Sequence, residues 1–141
     1  MGDRVVTTSV APTIGFVGCE RAIEWLQRVL DFEVTALFRD EDGTIPHAQL
    51  AWRGGAINVC DATPDDQSGP VSVALTAEDR SAVDALYERA VAAGGDVQAA
   101  PEEVFTGHYR FQVRDSYGNR WNVGTAWINS DKALALPQRV I

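Results

Sequence analysis

The strongest constraint on this chain is that its second half repeats the element order of its first. Residues 10–17, VAPTIGFV, are apolar with β-branched and aromatic members and predict a strand. ERAIEWLQRVLDF follows, with Ala22, Ile23, Leu26, Val29 and Leu30 at helical spacing. A strand over Glu33–Arg39 runs into Asp42-Gly43, a hairpin signal. His47–Trp52 and Ala56–Cys60 alternate as strands about the Gly54-Gly55 turn. The second half then gives VSVALT as a strand and EDRSAVDALYERAVAAGG as a helix, with Val83, Leu86, Tyr87, Ala90 and Val91 on one face and Gly94-Gly95 as its stop. Short strands at 96–99, 108–114 and 120–125 complete it, the last two joined by an Asp115–Gly118 turn. The helix starts Glu20 and Glu78 lie 58 residues apart, Leu50 and Phe111 lie 61 apart, and Val59 and Val123 lie 64 apart. Loop insertions account for that drift.

Two copies of strand–helix–strand–strand–strand predict an α+β domain spanning 1–141. Module one covers about 8–62, module two about 69–128, and an apolar tail runs over 129–141. The expected architecture is a curved mixed sheet around a cleft, with the helices on its outer face. The faces Leu50/Trp52, Ile57/Val59, Phe111/Val113 and Trp121/Val123 would meet the helices. The opposite faces would present Ile14, Phe16, His47, Gln49, Asn58, Arg110, Gln112 and Asn122 to a small molecule. Strand alternation carries this assignment, and a slip of one residue inverts it. Trp52 and Trp121 read as core, Trp127 as a cap on the cleft or part of a dimer contact, and Trp25 as core or interface. His108 reads as an ordinary strand end.

Charge excludes other partners. The net charge is -8, with no basic stripe, which opposes nucleic acid and anionic membrane surfaces. Such a field favours a cationic ligand, although solubility alone accounts for it. No apolar run is long enough to span a membrane, the N-terminus lacks a signal-type apolar stretch, and Cys19 and Cys60 form no C-x-x-C pair. The expectation is a cytoplasmic protein with two buried reduced thiols. The acidic stretch Asp61–Asp66 lacks calcium-loop spacing and reads as a solvated linker. Hydrolase, zinc-protease, phosphate-loop and dinucleotide motifs are missing from the sequence.

Three segments in order resemble the vicinal oxygen chelate superfamily, the glyoxalase, bleomycin-resistance and extradiol-dioxygenase group. They are ERAIEWLQRVLDFEV, HAQLAWRGGAINVCD and, most specific, GHYRFQVRDSYGNRWNVGT. The resemblance covers roughly residues 10–127 and implies paired βαβββ modules and commonly a homodimer. It also implies either a divalent metal in the cleft or, in the resistance-protein branch, a metal-free cleft that sequesters a drug. The superfamily's metal ligands come from the first strand and a late strand of each module. Here those positions hold Pro12-Thr13, His47, the donor-free VSVALT and Asn122. His47 is the one good ligand, whereas a catalytic site needs about three, so no metal and no other cofactor is expected. The first functional expectation is a binding protein that traps an aromatic or cationic natural product without chemistry. The alternative is an enzyme of the same superfamily, a lyase, isomerase or dioxygenase, with atypical metal ligands or with His47 as general acid/base.

Overall fold

The computed structural model describes residues 8–105 and 107–127, so the tail at 129–141 lies outside the described residues. Ten elements follow one another: β1 (Thr13–Phe16), α1 (Cys19–Leu30), β2 (Glu33–Phe38), β3 (His47–Trp52), β4 (Gly55–Asp61), β5 (Ser72–Thr76), α2 (Arg80–Ala92), β6 (Asp96–Val104), β7 (His108–Arg114) and β8 (Arg120–Gly124). This is βαβββ twice. Each module forms its own four-stranded mixed sheet, in the orders β1-β4-β3-β2 and β5-β8-β7-β6. The helix after each first strand acts as a crossover. It returns the chain so that β1 pairs parallel with β4 and β5 parallel with β8, while the remaining pairs are antiparallel. Among the described residues no strand of one sheet lies against a strand of the other.

The helices form because their apolar stripes have somewhere to go. Ala22, Ile23, Leu26, Val29 and Leu30 of α1 are all buried. The helix ends at Asp31 in the left-handed conformation, with the Asp31 N–H donating to Gln27 O and the Phe32 N–H to Leu26 O. In α2 the Asp79 side chain caps the first turn by accepting from the Ala82 N–H at 2.8 Å. Val83, Leu86 and Ala90 are buried there, but Val91 is half exposed, so this stripe is narrower than the sequence suggests. The helices lie against each other, and the Arg89 guanidinium donates to Gln27 O at 3.0 Å across the junction.

One core serves both modules. Leu50, Val59, Phe111, Val113, Trp121 and Val123 are fully buried. Phe32 of module one stands edge-on to Trp121 of module two, with ring centres 5.8 Å apart. The turn between β7 and β8 is held by the buried Asp115 carboxylate, which accepts from the Tyr117 and Asn119 N–H groups, Asn119 Nδ2 and Trp121 Nε1 at 2.9–3.0 Å. The Tyr117 hydroxyl reaches across to donate to Val17 O at 2.6 Å.

Within the acidic stretch Asp61–Asp66, residues 63–66 are exposed as expected of a solvated linker, whereas its first residue and the two residues that follow the stretch are tied down. Asp61 accepts from the Cys19 N–H at 2.8 Å and the Ile45 N–H at 2.7 Å, which fixes the start of α1. The Gly15 N–H donates to Ser68 Oγ at 2.8 Å, the Ser68 N–H to Gly15 O at 3.1 Å and the Val17 N–H to Gln67 Oε1 at 3.2 Å. The connecting chain therefore covers the free edge of β1. Its close approach explains Gly15, where a Cβ would stand 3.1 Å from the Ala62 Cβ.

Candidate functional site

Two strand faces point away from the helices, one on each sheet. On module two the register pairs Arg110 with Gly124, Gln112 with Asn122, Ala74 with Asn122 and Thr76 with Gly124. Phe111, Val113, Trp121 and Val123 take the helix side of the same strands, so alternation puts Arg110, Gln112 and Asn122 on the open side. A cavity of about 380 Å³ lies on this face, its polar groups drawn from Thr76, His108, Arg110 and Asn122 and its rim carrying Phe105 and Trp127. Phe105 is 78% exposed and Trp127 65%.

His108 is the central group. It is 9% exposed and stacks flat on Trp127, with ring centres 3.7 Å apart and planes within 5°. The absence of a side chain at Gly124 makes room for it: a Cβ there would lie 2.8 Å from His108 Cε1 and 2.9 Å from the Arg110 Cβ. Burial lowers the imidazole pKa below its ordinary value; hydrogen bonding with the Thr125 backbone opposes this, and the Arg110 charge adds to the lowering. His108 Nδ1 and Arg110 Nη1 are both buried without a hydrogen-bond partner. Arg110 Nη1 has only the Glu102 carboxylate at 3.6 Å, an ion-pair distance beyond hydrogen bonding. By contrast, Asn122 is engaged, accepting from Gln112 Nε2 at 2.7 Å and donating to Ser72 Oγ at 3.0 Å.

The open face of module one carries Gln49 opposite Asn58, with Thr13 opposite Asn58 on the other side. Thr35 Oγ1 donates to Gln49 Oε1 at 2.9 Å. His47 begins β3, is exposed, and lies beside Phe38 with ring centres 6.0 Å apart. None of these residues lines the module-two cavity. The structure thus groups Arg110, Gln112 and Asn122 on one sheet and His47, Gln49 and Asn58 on the other. Ile14 and Phe16 belong to neither face: at 2% and 1% exposure they are core residues. Their expected placement is corrected by β1's register, which sets Ile14 beside the buried Val59. In an apolar run such as VAPTIGF, hydrophobicity alone does not say which alternate residues face inward.

The sequence alone presents His108 as an ordinary strand end and does not mark Thr76 or Phe105. The repeat held the signal for the first. The 61-residue offset that carries Leu50 onto Phe111 also carries His47 onto His108.

The donor set for a metal is poor. The positions named by the resemblance hold Pro12-Thr13, His47, the donor-free β5 residues and Asn122, and His47 alone among them is a good ligand. Among the described residues no three His, Cys, Asp or Glu side chains come together. These residues do not fit a divalent ion that needs about three protein ligands. Besides a hollow of about 540 Å³ bordered by Gln27, Asp31 and Arg53, two others lie elsewhere. One, of about 340 Å³ between α1 and the β7–β8 turn, is lined by Tyr117 and Asp115, whose polar atoms already have partners. The other, of about 280 Å³, lies between the β3–β4 hairpin and β5.

The duplicated modules and their open sheet faces define a class, and comparison with known proteins names it. Residues 15–123 match the Glyoxalase/Bleomycin resistance protein/Dioxygenase superfamily, and the chain belongs to that superfamily. It is similar to the crystal structure of TioX from Micromonospora sp. ML1, at 28% identity and a TM-score of 0.69, covering 84% of this chain and 98% of that one. It is 27% identical over 130 residues to the uncharacterized protein Rv0887c of Mycobacterium tuberculosis, covering 84% of this chain and 75% of that protein. The fold alone is shared with the fosfomycin resistance protein FosX from Mesorhizobium loti, at 13% identity and a TM-score of 0.62, covering 88% and 96% of the two chains.

Proposed function

We propose that this protein binds a planar aromatic small molecule in the module-two cleft and holds it without chemical change. The carrying observation is the pair Phe105 and Trp127, large aromatic side chains left exposed on the rim of a cavity whose wall is already stacked on Trp127. Exposing such rings to water costs free energy that a flat ligand recovers by covering them. The reading takes the cleft as metal-free, because the donor set does not fit a divalent ion. It includes a homodimer, the common state in the superfamily, and a cytosolic setting, in keeping with the unpaired Cys19 and Cys60.

Calorimetric titration with 2-naphthol tests the binding. The expected result is saturation at one probe per cleft, recovery of the probe unchanged, and at least a tenfold loss of affinity in Trp127→Ala. Conversion of the probe, or equal affinity in that variant, overturns the proposal. Sedimentation at micromolar concentration checks the dimer, which a monomer throughout would refute.

A further inference from the structure

Resting on that reading, we infer that the cleft selects aromatic ligands that carry an acceptor oxygen, a carboxylate or a carbonyl, seated on the Arg110 guanidinium beside His108. Buried polar groups are almost always hydrogen-bonded, and an exception calls for an explanation. Two such exceptions, His108 Nδ1 and Arg110 Nη1, belong to residues that line the same cavity. They lie two residues apart on β7, so their side chains leave the same face of the sheet. Trp127 lies flat on the imidazole, and the bare Gly124 backbone lies beneath both residues. Asn122, next in the lining, accepts from Gln112 Nε2 with its oxygen and donates to Ser72 Oγ with its nitrogen. The buried polar atoms left without a partner in this lining therefore belong to Arg110 and His108.

The chemistry of that demand follows from the groups. A guanidinium only donates, so Arg110 calls for an acceptor. Its present neighbour Glu102, with its side chain 64% exposed, stands at 3.6 Å and leaves Nη1 without a hydrogen bond. A ligand oxygen inside the cavity would be sheltered from water and would outcompete that contact. The neutral imidazole adds no second positive charge but offers one nitrogen as donor or acceptor. A ligand cation would meet the guanidinium, so the acidity of the whole chain does not make this cleft a cation site.

The test uses the intact protein and three matched probes at pH 7.5: 2-ethylnaphthalene, 2-naphthoate and 2-naphthamide. Wild type is expected to bind at least one of the two oxygen-bearing probes about tenfold more tightly than the hydrocarbon, the worth of one charge-assisted hydrogen bond. Gain for the acid alone assigns a carboxylate, and gain for both assigns any carbonyl acceptor. Arg110→Met should erase the difference between probes. Glu102→Gln, an exposed change that leaves the core alone, should widen it by removing the competitor. Equal affinity for all three probes in wild type, or a difference that survives in Arg110→Met, overturns the inference while leaving an aromatic site in place. Failure of every probe to bind overturns both this inference and the proposed function.

Discussion

Gly124→Ala probes the site without removing any functional group. Gly124 is not in a left-handed conformation, so alanine is compatible with the backbone there. In a strand, alanine should even stabilise by about 0.5–1 kcal/mol through reduced chain entropy. Against this, the new methyl would stand 2.8 Å from His108 Cε1 and 2.9 Å from the Arg110 Cβ. The second neighbour is tied directly to β7 and cannot swing away, so the imidazole must move. Overpacking of this kind costs about 1–3 kcal/mol. The net loss should be about 0–2.5 kcal/mol, or a Tm lowered by up to about 10 °C for a chain of this size. The same displacement breaks the stack on Trp127 and opens His108 to water, so its pKa should climb back toward the ordinary imidazole value. Proton NMR titration of the histidines, with His47→Gln to assign the signals, reads this directly. Unchanged or raised stability together with an unmoved His108 titration would refute the account of how this site is built.

Three further outcomes follow from the same contacts. Because His108 binds its proton less readily folded than unfolded, the folded state should lose stability as pH falls below the unfolded value of about 6.5 and stop losing it below the folded pKa; His108→Gln should flatten that part of a urea stability profile, and an unchanged slope would count against it. Asp115→Ala strips partners from Trp121 Nε1 and from both nitrogens of Asn119, all buried; at about 1–3 kcal/mol each, urea denaturation should show a loss of at least about 3 kcal/mol, and a loss below about 1 kcal/mol would contradict the buried network. The Cys19 thiol, fully buried and with its pKa pushed up to about 12 by burial and by Asp61, should resist iodoacetamide in the native protein at pH 8 while the partly exposed Cys60 reacts; mass mapping that finds both labelled at equal rates would disprove it.

The architecture was legible because it rests on periodicity. Helical spacing from Ala22 to Leu30 and the β3 alternation Ala48, Leu50, Trp52 each have one satisfactory burial, and the structure adopts it. The motif most specific to the family, GHYRFQVRDSYGNRWNVGT, contributes differently at its two ends. Asp115 and Asn119 are scaffold, spent on holding the turn and receiving the Val71 N–H. His108 and Arg110 face the cavity. The sequence does not mark that division, because polar residues in a turn and at a strand end look alike until the register is known. β1 failed for the opposite reason: a continuous apolar run offers no contrast between its faces. The docking of residues 67 and 68 on β1 was also out of reach, since polar side chains that satisfy a distant backbone resemble polar side chains in water.

Residues 62–68 are tether and edge guard at once. β1 is the outermost strand of its sheet, and an outer strand's unpaired backbone groups invite pairing with another chain. Here Gly15 and Val17 give theirs to Ser68 and Gln67, residues that belong to the approach to module two. Although each copy completes its own sheet, the first copy is not finished until the chain has set out toward the second. The two halves are alike in plan but not interchangeable: the first depends on the segment that joins them.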